Sequence, residues 1–134
     1  MKKGFTLVEL LGVIVILGLI AMIAIPTINS ALNSSRQKAY EQQINTIEDT
    51  ARTYMSKNSL KLPSQLEGSA CYVSVATMQK AGLLDSDDIE NPKYKKDSTD
   101  EEENFENFNG YVIITFTGNK YKYEYVKTTS VDEC

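Results

Sequence analysis

The sequence predicts an α+β fold: one long N-terminal α-helix packed against a small antiparallel β-sheet head. Three observations carry this. Leu10 to Ile25 is an apolar run without a charge. Beyond Pro26 the apolar residues recur at intervals of three and four, the stripe of an amphipathic helix. Further on, YVIITFTGNKYKYEYV alternates about Gly118-Asn119, the pattern of a two-residue β-hairpin.

Composition bounds the rest. The 134 residues suit one domain with an appendage. The net charge of −4 is unevenly spread. Residues 1–84 hold eight Lys/Arg against five Asp/Glu, residues 85–106 three against ten, and residues 107–134 three against three. An acidic segment of that kind argues against nucleic acid binding there. With no His in the chain, His-based catalysis and His-rich metal sites are excluded. Two cysteines, Cys71 and Cys134, are too few for a four-thiolate zinc site.

The first element follows Lys2 and Lys3. A helix from Phe5 to Ile28 is long enough to cross a hydrocarbon layer roughly 30 Å thick. The two lysines place the N-terminus on the cytoplasmic side and the rest of the chain outside. Glu9 sits inside this run, where a carboxylate at a helix centre costs about 2.5–3.5 kcal/mol. A removed secretory signal would end at a small-x-small site, and Met22-Ile23-Ala24 is a poor one. A plain signal anchor leaves Glu9 without a purpose.

KKGFTLVELLGVIVILGLIAMIAIP resembles the leader and first helix of type IV pilins and pseudopilins. The match runs through a basic leader ending in Gly4, then Phe5, Thr6 and Leu7, the acid Glu9, the apolar run and Pro26. The resemblance covers about the first thirty residues and implies a pilin-like fold. It also implies that a prepilin peptidase cuts between Gly4 and Phe5 and that Phe5 is then N-methylated. Residues 1–4 are thus expected to be a removed leader. The new amine on Phe5 would be neutralised by Glu9 of a neighbouring subunit, making two charges tolerable as a pair in an apolar core. The alternative is a Glu9 that snorkels to the interface or pairs within its own chain. Gly18 and Pro26 bound a weak helical segment, since glycine and proline both destabilise a helix interior. Similar proteins melt there on assembly; the plainer reading is that membrane helices tolerate both residues.

Residues 5–28 are thus expected to form the membrane and filament-core helix, and residues 29–57 the amphipathic spine of a head. Its stripe is Ile28, Leu32, Tyr40, Ile44, Ile47, Ala51 and Tyr54. A helix from Phe5 to Lys57 is about 80 Å long, more than any single-domain core requires. The head, residues 58–134, begins with Leu60, Leu62, Pro63 and Leu66 as a packed connecting loop. Ser74 caps a short helix from Val75 to Ala81 that ends at Gly82, with Leu83 and Leu84 packed behind.

The hairpin pairs Phe116 with Tyr121, Ile114 with Tyr123 and Val112 with Tyr125 on one face. Thr115, Thr117, Lys120 and Lys122 fall on the other, with Ile113 beside Glu124. The aromatic face is read as core laid on the helix stripe; an adhesive tyrosine surface is the alternative. Tyr111, on the polar face, is the candidate exposed aromatic. So small a head is marginal without a staple. If the head is exported, Cys71 and Cys134 most simply pair; in a reducing compartment they stay free thiols. Asp85, Asp87, Asp88 and Glu90 could offer oxygens to Ca²⁺, but their spacing lacks an EF-hand glycine and they read as a solvated charge run. No metal and no cofactor is expected. Lys93 to Asn109 reads as a long mobile loop.

The resemblance implies a structural subunit, not an enzyme. It would enter the bacterial cytoplasmic membrane as a single-pass precursor in contact with lipid, then leave as part of an extracellular pilus or pseudopilus. The partners it implies are further copies in a helical filament, the prepilin peptidase, an assembly ATPase with its platform membrane protein, and minor pilins. Such filaments serve adhesion, motility, DNA uptake or secretion. The alternative is a membrane-anchored extracytoplasmic binding module that never polymerises.

Overall fold

The structure, a computed structural model, describes residues 4–128 and 131–134. Helix α1 spans Leu7–Lys57, followed by a 3-10 turn at Ser59–Lys61, strand β1 (Ala70–Ser74), helix α2 (Val75–Lys80), strand β2 (Tyr111–Thr117) and strand β3 (Lys120–Val126). The three strands form an antiparallel sheet in the order β1-β2-β3. The chain divides into two compact units, one ending at Arg36 and the other running from Gln37 to Cys134.

In the first unit α1 exposes nearly every side chain, as an apolar helix made for another solvent than water does. It is long and apolar enough to cross a membrane. In the second unit the helix buries Tyr40, Ile47, Ala51, Tyr54 and Met55 in the core, with Ile44 partly covered. The stripe is therefore real from Tyr40 onward. Ile28 and Leu32, assigned to the same stripe, remain exposed. Met55 was missed because it lies one residue off the stripe.

The hairpin has the predicted register: Phe116 opposite Tyr121, Ile114 opposite Tyr123, and Val112 opposite Tyr125. Gly118 and Asn119 have φ of 57° and 74°, as a type I′ turn requires. Val112 and Ile114 are fully buried, and the three tyrosines are partly buried against the same core. Strand β1 was not expected. It pairs Cys71 with Ile114 and Val73 with Val112, putting both on the core face.

Ser74 does cap α2, its hydroxyl accepting from the Thr77 amide at 3.0 Å. Gly82, at φ 76°, turns the chain out, and the Leu83 amide returns to the Met78 carbonyl at 3.1 Å. Three expectations need correcting. Only Leu62 of the leucine loop packs against the core; Leu60 is 100% and Leu66 70% exposed. Tyr111 is half-buried, edge-on to Tyr72 with ring centroids 6.4 Å apart. The acidic loop is anchored: Phe108 is buried, Phe105 packs beside it at 5.2 Å, and the buried Asn91 amide donates to the carbonyls of Glu102 and Phe105.

Candidate processing and assembly site

Gly4, Phe5 and Thr6 precede α1 and belong to no regular element. Phe5 is 89% exposed, and a Cβ built on Gly4 meets nothing within 4 Å. The Gly4–Phe5 peptide bond is thus sterically open. Lys2 and Lys3, the basic part of the leader, lie outside the described residues.

Glu9 stands in the first turn of α1. The Thr6 amide donates to Glu9 Oε2 at 3.1 Å, and the Glu9 amide donates to Thr6 Oγ1 at 3.1 Å. This reciprocal pair is a capping box, satisfying two amides that the helix itself leaves orphaned. The carboxylate also sits at the positive end of the helix dipole. Glu9 therefore has a local partner in its own chain, as the alternative reading of the sequence allowed, though that reading did not name Thr6. The signal was present as Thr6-x-x-Glu9. Among the described residues, Glu9 Oε1 carries no hydrogen bond.

Gly18 and Pro26 both lie inside α1, which runs through them without interruption. A Cβ on Gly18 would meet nothing within 4 Å, so the glycine answers no packing need inside this chain. Pro26 has no amide to donate. The Thr27 hydroxyl donates to the Ile23 carbonyl at 3.1 Å, adding one bond beside that gap.

Residues 1–25 match the family model described as the prokaryotic N-terminal methylation motif. The chain is also 30% identical over 66 residues to the ComG operon protein 3 homolog of Bacillus licheniformis, across 49% of this chain and 68% of that protein. The chain belongs to the type IV pilin and pseudopilin family. No solved structure matches it.

In this pilin-family chain the second unit is tied at its C-terminal end. Cys71 of β1 and Cys134 form a disulfide with Cα atoms 5.1 Å apart. The Cys134 amide donates to the Tyr72 carbonyl at 2.8 Å. The Glu133 carboxylate accepts from the Ser74 amide at 3.0 Å and from the Thr77 hydroxyl at 3.0 Å. Hydrogen bonding by Ser74, then Thr77, holds the Glu133 carboxyl below its ordinary range, against partial burial that pushes it up.

Some acids of residues 85–106 are held by single contacts, through the backbone or the carboxylate. Asp85 and Asp87 use their backbone carbonyls, which accept from Gln79 Nε2 at 2.9 and 3.0 Å. Glu102 pairs with Lys93, and Glu103 with Lys95 at 3.3 Å. Among the described residues no three metal-ligating side chains converge.

Proposed function

We propose that the chain is a prepilin, cut between Gly4 and Phe5, N-methylated on Phe5, and polymerised from the membrane into a pilus or pseudopilus. The methylation motif at residues 1–25 is the observation that carries this reading. Residues 1–4 are the leader, 5–28 the membrane and filament-core helix, 29–57 the amphipathic spine and 58–134 the head. The peptidase, an assembly ATPase with its platform protein, and minor pilins are its partners, and further copies build the filament. The exposed Gly4–Phe5 bond suits proteolysis. Intact-mass analysis and N-terminal sequencing of the membrane fraction should find Phe5 first, carrying one methyl group. Met1 retained, or a start near Ile25, overturns the reading. Gly4→Val should leave the precursor uncut.

Glu9 serves twice in this scheme. Oε2 caps its own helix, and Oε1 is left for the methylated Phe5 amine of the neighbouring copy. Losing that partner would leave a buried amine unpaired at each joint, at a cost of about 3–5 kcal/mol. The capping box also favours a second reading, since it gives Glu9 a use in an anchor that never polymerises. Glu9→Gln separates the two, because glutamine keeps the cap and drops the charge. Sheared filaments should be lost while the membrane pool stays normal. Normal filaments from Glu9→Gln overturn the charge pairing; a wild-type chain that is cut but never leaves the membrane supports the anchor.

A further inference from the structure

We propose that residues 29–36 are a conformational joint: the stretch of α1 that unwinds first while the subunit is still in the membrane. The reason is a coincidence of missing supports. Asn29, Ser30, Asn33, Ser34 and Ser35 are among the poorer helix formers, because their side chains compete for nearby backbone groups. All eight residues are exposed. Among the described residues, no side-chain hydrogen bond or ion pair involves any of them. Arg36 is the first charge after Glu9, so no opposite charge one turn back braces the helix.

Support resumes immediately afterwards. Gln37 Oε1 accepts from Lys93 Nζ at 2.5 Å, and Gln37 Nε2 donates to Glu41 at 3.0 Å. Tyr40 is buried, its ring 5.6 Å from that of Phe108. The division between the two compact units falls at this same point, after Arg36. On the other side lies the apolar run.

The two weak segments of α1 differ in solvent, and that sets their order. Gly18 to Pro26 falls within the membrane span, on the membrane placement proposed above. Unwinding there strands amides and carbonyls in hydrocarbon, where nothing satisfies them. Residues 29–36 lie beyond the span, and water accepts every backbone group they release. The glycine–proline segment is therefore held helical until it leaves lipid, whereas the serine–asparagine segment opens beforehand. Its opening gives the chain slack between the anchored run and the packed unit without disturbing either.

Hydrogen exchange on the full chain in lipid nanodiscs tests this. Amides of residues 30–36 should exchange at least about tenfold faster than those of residues 44–55, while residues 13–25 stay protected. Protection of 30–36 equal to that of 44–55 overturns the joint. Fast exchange at 13–25 instead counts against the membrane placement, and the comparison of 30–36 with 44–55 still decides the joint separately. A quadruple variant, Asn29→Ala, Ser30→Ala, Asn33→Ala and Ser34→Ala, should slow exchange across 30–36 by about tenfold or more. Unchanged exchange in that variant overturns the proposal. Gly18→Ala should leave exchange at 30–36 as it was; a matching slowdown there would mean one cooperative helix and no joint.

Discussion

At Gly110 a single added carbon meets backbone on one side and a ring hydroxyl on the other. Its Cβ would collide with the Val126 carbonyl oxygen and stand 2.9 Å from Tyr125 Oη. The glycine amide already donates to that hydroxyl at 3.1 Å, and its carbonyl accepts from the Val75 amide at 3.0 Å. Backbone cannot move aside as a side chain tip can. Gly110→Ala should lose about 3 kcal/mol or more in urea unfolding of the detergent-solubilised chain. Gly118→Ala, with open space but φ of 57°, should lose only about 1–2 kcal/mol; equal losses would contradict the packing argument. Glu133 gives a pH-dependent counterpart. Its folded pKa lies below the ordinary 4.5, so its contribution is complete above that value and fades as pH falls through the lower folded one. Glu133→Gln should be less stable than wild type at neutral pH, and the gap should close on acidification. A gap that stays constant with pH would mean the carboxylate's charge is irrelevant.

Among the elements, those announced by local chemistry were legible. The hairpin register followed from Gly118-Asn119 and strict alternation, because the turn fixes which residues face each other. Helix α2 followed from a capping serine and a terminal glycine. Strand β1 was not legible: its partner β2 lies beyond the whole acidic stretch, so no turn announces the pairing, and its last residue doubles as the α2 cap. The acidic loop misled in the opposite way. Charge density suggested mobility, but Phe105 and Phe108 anchor it beside Tyr40. Phe108→Ala should therefore cost about 3–5 kcal/mol despite its acidic surroundings, whereas Leu60→Ala should leave the melting temperature unchanged. The same contact between α1 and the loop sets an alkaline limit. Burial first, then Glu102, Tyr125 and Asp100, push the Tyr40 hydroxyl up to about 12. Burial also raises Tyr123 and Tyr125. For a raised pKa the stabilisation is whole below the ordinary value of 10.0 and is lost as pH rises through the folded one. Circular dichroism should show cooperative loss of the second unit above about pH 10, milder in Tyr40→Phe; loss at the same pH in both would remove Tyr40 from the account.

For the whole molecule, the sequence read best over residues 1–25, which match the methylation-motif family model, and in the apolar run, which forms a helix long enough to cross a membrane. It read worst at the boundary after Arg36. Periodicity tells which face of a helix is apolar, not what covers it, so Ile28 and Leu32 joined a stripe that the structure covers only from Tyr40. The two units also draw on different sources of stability, and this yields a test. The first is apolar and exposed, so lipid would stabilise it. The second rests on a small core and on a disulfide whose cysteines are 63 residues apart in sequence. In the chain-entropy model a loop of that size is worth about 4 kcal/mol, a large share of a small unit's total. Reduction, or Cys71→Ser with Cys134→Ser, should lower the unfolding free energy of the second unit by up to about that amount. The Glu133 contacts should weaken with it, since the bond holds their backbone in place. Insertion should not respond: the reduced chain should remain in the membrane fraction after carbonate extraction, with residues 13–25 still protected from exchange. Extraction of the reduced chain would mean that the head's fold supports the anchor, whereas an unchanged melting temperature would show that the bond closes a terminus already held by other contacts.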